Sequence, residues 1–376
     1  MSKALRTKGE ESIVFSRCPL NNTDSPVQQM AENLTSPYKF AYSRTALKYG
    51  LKTIDFKEGD ELLVPDFICE SAIEPLLDLN IIPRYYPVNS ALEPEWNKLE
   101  KLVNTSTIAL LIVHYFGNPQ PVDKFLELCN THSLLLIEDN AHGFGAKYHN
   151  RLLGTIGDIG FCSPRKSFPI SNGSYLYLSN NKTPDLSTLI LRPSATISSN
   201  RNLQQKLKQF SPFKQILEKR RNIHEYNKRK GPSPPYGSQS HFRDPHIEKD
   251  YAMDNNSHKY LESINLEKIR EIRQEIYHLW QRWAITQGLT PVFPTLSPEA
   301  MPLIFPAYSS SLDNSLQWFE RGHRCGVDIH SWPTLPMEIV KENKNAMRLW
   351  ERLVCFPIHQ NMNLDSLKRR LNHLKL

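Results

Sequence analysis

The sequence predicts an α/β protein, with a mainly parallel central sheet in a large domain and a smaller α+β domain at the C-terminal end. Three observations carry this expectation. From Ala41 onward, apolar runs of strand length alternate with segments of helix length, the pattern of a βαβ succession. Near Asn200 the composition turns to Lys and Arg, then to Pro, Gly and Ser, which marks a division of the chain. Beyond that division helical periodicity resumes, and short strands and helices mix without an internal repeat.

Residues 1–40 are polar and weakly patterned and read as an N-terminal arm. Ser43, Arg44 and Thr45 lead into a helical pattern, ALKYGLKTI. Glu61–Val64 (ELLV) reads as a strand that ends at Pro65. Ile81–Val88 (IIPRYYPV) is extended, and its proline places it at an edge or a strand start. Thr107–His114 (TIALLIVH) and Leu134–Ile137 (LLLI) are apolar enough for buried strands. Between them, PQPVDKFLELCNTHS sets Phe125, Leu126, Leu128 and Cys129 on one helix face. Ile159–Cys162 is a further short strand-like run, and the large domain is expected over 41–199. The stretch 200–260 combines a basic helix over 201–230 with a flexible connector, GPSPPYGSQSHFRDPH, over 231–246. Ile264, Ile269, Ile272, Ile276 and Leu279 give residues 257–285 a helical period. The small domain is expected over 261–376 and ends in the helix-like NLDSLKRRLNHLKL.

Charged residues make up 23% and hydrophobic ones 39%, which excludes a disordered or fibrous chain. The net charge of +7 suits an anionic small substrate and is too weak to imply nucleic acid. The basic run 201–230 has few interleaved aromatics, so a solvated helix face explains it better than a nucleic-acid face. Thr107–Phe116, the most apolar stretch, falls far short of the roughly 20 residues that cross a bilayer. The opening MSKALRTKGEE lacks the apolar core of a signal peptide. Cys18, Cys69, Cys129, Cys162, Cys325 and Cys355 are scattered without a C-x-x-C pair, as reduced thiols of a cytoplasmic protein would be, and suggest neither a disulfide frame nor a metal site. There is no HExxH, Walker loop or GxGxxG.

Three segments hold residues suited to chemistry. Asp139, in LLLIEDNAH, lies past an apolar strand, where its carboxylate is either a helix cap or an acid for a cationic ring nitrogen. His142 follows three residues later and lines the same pocket if one forms there. Lys166, in GDIGFCSPRKSFPISNG, follows a short strand through a turn stiffened by Pro164. Arg165 and burial would hold its pKa down, and Ser163 offers a hydroxyl in the same turn. Ser43, Arg44 and Thr45 open a helix whose first amides can cradle a phosphate, although capping alone explains them nearly as well. A phosphate cradle, an acid for a pyridinium and a lysine for an aldehyde are together the parts that hold pyridoxal phosphate.

The segments VHYFGNPQPVDKFLELC and LLLIEDNAHGFGAKYHNRLLGTIGDIGFCSPRK resemble blocks of the DegT/DnrJ/EryC1/StrS family of sugar aminotransferases. MPLIFPAYS, CGVDIHSWPTLP and LVCFPIHQ resemble further blocks more faintly. The resemblance implies fold type I, the aspartate-aminotransferase-like fold of pyridoxal-phosphate-dependent transferases. By position it implies that Lys166 bonds the cofactor aldehyde, that Asp139 pairs with the ring nitrogen and that His142 contacts the ring near its 3-hydroxyl. Ser163, Arg44 and Thr45 fall at the phosphate, and Cys69 falls where the family stacks an aromatic on the ring.

The chain departs from the family pattern in several places. SRTAL stands for a Gly-Thr-Ala-Ala-Leu type of loop, ISNGSY replaces a glycine pair after the lysine turn, and the G-x-N-Y-R-M block is not visible. Only Arg273–Tyr277 echoes the family residues just beyond that block. The implied reaction moves an amine from an amino acid, commonly glutamate, to a keto sugar linked to a nucleotide, for a surface polysaccharide or an antibiotic. The implied assembly is a homodimer with shared sites. The alternatives are sugar dehydration, whose practitioners in the family lack the lysine, and a cofactor-binding scaffold or regulator without turnover.

Overall fold

The computed structural model describes residues 38–179, 252–332 and 334–376. The expected basic helix and connector over 201–246, and residues 1–37 of the expected arm, lie outside the described residues.

Seven strands form the main sheet in the order β1-β9-β8-β5-β4-β2-β3. They are β1 (Tyr38–Phe40), β2 (Glu61–Pro65), β3 (Ile82–Tyr86), β4 (Thr107–Val113), β5 (Leu135–Asn140), β8 (Ile159–Cys162) and β9 (Ser174–Leu178). The small strands β6 (Lys147–Tyr148) and β7 (Arg151–Leu152) pair beside the sheet. Strands β3, β2, β4, β5 and β8 run parallel, and on one side β9 runs against them, paired antiparallel with both β8 and β1. Helices α1 (Ser43–Leu51), α2 (Glu70–Asp78), α3 (Trp96–Leu102) and α4 (Val122–His132) lie between these strands in the chain. Leu62–Val64 and Ala109–Ile112 are fully buried, because helices cover both faces of a parallel sheet and its strands therefore read as unbroken apolar runs. Strand β3 sits at the edge, where the expected proline, Pro83, costs no ladder bond on its outer side. Gly160 is required in β8, since a Cβ there would fall 1.9 Å from the carbonyl oxygen of Gly154.

The parallel register aligns the carboxyl ends of the central strands. Val113 pairs with Asp139, and Asp139 with Phe161. The segments just beyond β2, β4, β5 and β8 therefore share one rim, where chemistry collects in open α/β sheets.

The later chain supplies α5 (Asn255–Glu262), α6 (Leu266–Thr286), β10 (Thr290–Pro291), β11 (Ile304–Tyr308), α7 (Leu312–Cys325), α8 (Met337–Glu342), α9 (Lys344–Arg352), β12 (Leu353–Pro357) and α10 (Leu364–Leu371). Strands β10, β11 and β12 form a second, antiparallel sheet. Helix α6 joins two cores. Leu266 and Ile269 belong to the main core, whereas Ile276, Tyr277, Trp280 and Ala284 pack in a second one. In that second core Trp280 lies 4.8 Å from Phe356, and Trp283 lies 5.5 Å from Trp318.

Four local expectations are corrected. The helical period of 257–285 is broken into two helices, because Asn265 caps α6 by accepting from the Lys268 amide at 3.0 Å. Strand β5 runs on through the polar residues Glu138, Asp139 and Asn140 rather than ending at Ile137. The antiparallel β9 follows the lysine turn where no strand was expected. Residues 38–40, assigned to the arm, are a sheet strand paired with β9. No helix among the described residues is long and apolar enough to cross a membrane.

Candidate active site

The carboxyl rim encloses a cavity of about 470 Å³, part of it open to solvent. Lys166, Asp139, His142, Arg44 and Cys69 all line it, together with Ser43, Phe67, Tyr115 and Trp332. Thr45 and Ser163 stand just behind this lining and are buried.

Lys166 sits in the short turn Pro164–Lys166, where its amide donates to Ser163 O at 3.0 Å. Its side chain is half-buried, and its ammonium lies 4.8 Å from the centre of the Trp332 ring, a cation–π distance. Burial holds its pKa below the ordinary lysine value. Cys69 and Asp139 push it back up, while Arg165 and Arg44 add to the lowering. The expected order of causes is thereby reversed, with crowding ahead of the neighbouring arginine. A lowered ammonium pKa raises the fraction of free amine, the form that attacks a carbonyl.

Asp139 is no helix cap, because a turn rather than a helix follows β5. Its Oδ1 accepts from the Ala141 amide at 2.9 Å. Burial raises its pKa, against the opposing influence of Lys166, the Ala141 amide and His114. A cation placed against this carboxyl would restore its ionised form.

His142 is held by the turn after β5, which Asn140 secures by donating to Gly143 O at 3.1 Å and Leu153 O at 2.9 Å. The imidazole accepts from the Phe116 amide through Nδ1 at 3.2 Å, which leaves its proton on Nε2. Burial, and then Lys166, lower its pKa well below the usual value, so the ring is neutral near pH 7. Its plane stacks on Phe116 at 5.6 Å and meets the edge of Trp332 at 5.0 Å.

Helix α1 begins at Ser43, and Tyr42 before it gives no side-chain cap to its first amides. Arg44 turns toward α2 and pairs with Glu74 at 2.7 Å. Its charge is therefore shared with a carboxylate rather than held wholly for a ligand. The Ser163 hydroxyl is buried and has no hydrogen-bond partner among the described residues. Cys69 occupies the N-cap position of α2, with its sulfur 3.1 Å from the Ser71 hydroxyl.

Sequence reasoning did not pick out Trp332 or the Tyr115–Phe116 pair. Trp332 is carried by a strap pinned at both ends. His330 and Cys355 exchange backbone hydrogen bonds at 3.1 and 2.8 Å, and Thr334 O accepts from the Glu70 amide at 2.8 Å. Tyr115 donates to Phe67 O at 2.7 Å and so joins two of the rim segments. VHYFGN and HSWPTLP were the available signals, but nothing local in them places those rings at the rim. Among the described residues no group of three or more His, Cys, Asp or Glu side chains could hold a metal ion.

A lysine, a carboxylate and an imidazole converging beyond the strands of this sheet define the class as an α/β protein of fold type I, aspartate-aminotransferase-like. Residues 40–193 match the sequence model of the DegT/DnrJ/EryC1/StrS aminotransferase family. The chain is 30% identical over 155 residues to a putative L-glutamine:3-amino-2,3-dideoxy-scyllo-inosose aminotransferase of Micromonospora echinospora, covering 39% of this chain and 37% of that protein. It is 30% identical over 105 residues to the GDP-4-keto-6-deoxy-D-mannose 3-dehydratase of Escherichia coli O55:H7, covering 28% and 27%. These matches span well under half of either relative. The fold match is broader. The structure of Helicobacter pylori PseC, an aminotransferase of pseudoaminic acid biosynthesis, superposes with a TM-score of 0.63 at 16% identity, over 95% of this chain and 93% of that one.

Proposed function

We propose that the protein is a pyridoxal-phosphate-dependent aminotransferase that moves an amino group from an amino acid to a keto sugar, one linked to a nucleotide. The observation that carries this reading is the convergence of Lys166, Asp139 and His142 on one cavity, with the lysine lowered and the carboxyl raised in pKa. The residues fit the cofactor. The partnerless Ser163 hydroxyl and the uncapped start of α1 suit its phosphate, and the under-supplied Asp139 carboxyl suits a protonated ring nitrogen. The neutral His142 presents Nε2–H for a ring oxygen, and Lys166 suits the aldehyde. Arg44 and Thr45 would border the phosphate, and Cys69 would lie beside the ring.

When bound, this cofactor supplies an aldehyde and an electron-withdrawing ring that spreads negative charge from the carbon bearing the amine. The chain supplies the rest. Lys166 Nζ takes the proton from the α-carbon of the amino donor, which its lowered pKa favours near neutral pH. Asp139 holds positive charge at the ring nitrogen. His142 fixes the ring orientation, and Trp332 closes the cavity above the lysine.

The dehydratase relative offers a second reaction on the same fold. Lys166 favours amine transfer, because the resemblance places dehydration in members without that lysine. The homodimer, the large and small domains divided near residue 261, and a cytoplasmic location remain part of this proposal. The test is borohydride reduction of the protein incubated with pyridoxal phosphate, followed by peptide mapping. An adduct on the Lys166 peptide, and amine transfer from glutamate to a panel of nucleotide-linked keto sugars, are expected. A colourless protein without adduct refutes the reading, and retention of the cofactor without turnover favours the scaffold.

A further inference from the structure

Several charged side chains are buried outside the cavity, and one of them is a cation held by neutral acceptors. Arg273, on α6, is fully buried. Its guanidinium donates to neutral oxygens: Ser167 O at 2.8 Å, Pro302 O at 2.8 Å, and Gln360 Oε1 at 2.7 and 3.1 Å. Among the described residues no carboxylate pairs with it. Taking such a cation out of water is costly, and burial pulls its pKa down to about 10. A side chain kept at that cost holds geometry in return.

Two of its acceptors lead to facing parts of the cavity. Ser167 is the neighbour of Lys166, in the turn where the Ser167 amide donates to Pro164 O at 2.9 Å. Pro302 lies between Met301 and Leu303, whose amides donate to Gly117 O at 3.0 Å and Phe116 O at 2.8 Å. The Phe116 amide in turn holds His142 Nδ1 at 3.2 Å. Phe116 has φ 55°, a left-handed conformation that a residue other than glycine keeps only when its surroundings over-determine it. The approach is tight, since a Cβ on Gly117 would fall 2.0 Å from Met301 O.

We propose that Arg273 is the positioning residue of the site: it ties the turn of Lys166 and the support of His142 to one helix, and so sets the amine against the imidazole. The proposal rests on the reading of Lys166 as the reacting amine. It goes further in assigning a role to a C-terminal residue that does not line the cavity.

Without the guanidinium, Pro302 O loses its donor and Ser167 O keeps only the longer bond from Gln360 Nε2 at 3.5 Å, the turn relaxes toward solvent, and Lys166 moves toward an ordinary lysine. The measurement is the pH dependence of acetylation of Lys166 by acetic anhydride, read by peptide mass spectrometry on the full-length chain without added pyridoxal phosphate. Arg273→Met is expected to raise the midpoint by about one unit, a tenfold loss of free amine at a fixed pH below it. Arg273→Lys keeps the charge but cannot span both carbonyls, and an intermediate shift is expected. Tyr277→Phe removes a buried bond of the same helix, to Phe293 O at 2.9 Å, and is expected to leave the midpoint in place.

An unmoved midpoint in Arg273→Met, or an equal shift in Tyr277→Phe, overturns the proposal. Should Arg273→Met not fold, an unmoved midpoint in Arg273→Lys overturns it as well. Because the measurement needs no cofactor, failure of the functional reading shows separately, as the missing borohydride adduct in the wild type.

Discussion

Glu138 and Asp139 are neighbours on β5, and alternation along a strand sends them to opposite faces of the sheet. Behind the sheet, Glu138 is sealed. It accepts from the amides of Gly154 at 3.0 Å and Gly157 at 2.6 Å, and from His114 Nε2 at 3.0 Å. Burial works to raise its pKa, but the His114 bond and the amides outweigh burial and leave it lowered. At the rim, Asp139 accepts from the Ala141 amide, and there burial prevails and its pKa is raised. The histidines follow the same division. His114 spends both ring nitrogens on Glu138 and the Gln120 amide, whereas His142 spends Nδ1 on the Phe116 amide and presents Nε2 at the cavity. A sealed carboxylate builds the fold. An under-supplied one, next to a cavity and a lysine, is where binding a cation releases the most free energy.

The largest expected effect lies on the cavity side. Lys166→Ala should lower turnover by on the order of 10⁴-fold or more while the thermal unfolding midpoint stays within a few degrees of wild type. Substantial amine transfer in that variant would break the comparison at its strongest point. Asp139→Asn follows, with a loss on the order of 10³-fold in kcat, about 4 kcal/mol, and KM for the donor changed only a few-fold. Steady-state kinetics separates the two parameters. A rise in KM alone would make Asp139 a binding group and nothing more.

The opposite face should answer in stability. Glu138→Gln puts an amide group among backbone donors and removes the charge that His114 and the 154–157 loop share. The expected cost is about 3–5 kcal/mol in urea unfolding, with the reaction chemistry of the remaining folded protein intact. If this variant instead lost turnover at unchanged stability, the division between the two faces of β5 would not hold.

Much of this was legible in the sequence for a physical reason. ELLV, TIALLIVH, LLLI and IGFC are predominantly apolar because both faces of their strands are covered, and such runs stand out from the rest of the chain. The continuation of β5 through Glu138, Asp139 and Asn140 was not legible, since the strand turns polar where it meets the site. Ser174–Leu178 escaped because its burial depends on packing against distant parts of the chain. Lys166, Asp139 and His142 could be found from local blocks, whereas Trp332, Phe116 and Arg273 owe their placement to contacts across more than a hundred residues. The Arg44–Glu74 pair joins two helices, and no local pattern announces it.

A third buried carboxylate sharpens the comparison, because a raised pKa by itself does not mark a reacting group. Asp66 follows β2 and is fully buried, and its pKa is raised to about 6 by burial, with Glu95 adding to the rise. Unlike Asp139, it is used as a clamp. It accepts from the Val88 amide at 3.1 Å and from Asn343 Nδ2 at 2.8 Å, and Asn343 Oδ1 in turn caps α9. Below about pH 4 the group is protonated in both the folded and the unfolded chain, and its contribution to stability is fully present. Between pH 4 and 6 the unfolded chain releases the proton that the folded one keeps, so stability declines by up to about 3 kcal/mol and then levels off. Asp66→Asn should abolish that decline in urea unfolding measured across this range, while turnover near pH 7 stays within a few-fold of wild type. A decline that persists in the variant would assign it to another group. A large loss of turnover would place Asp66 in the chemistry of the rim, and the distinction between a clamp and an open carboxyl would have to be redrawn.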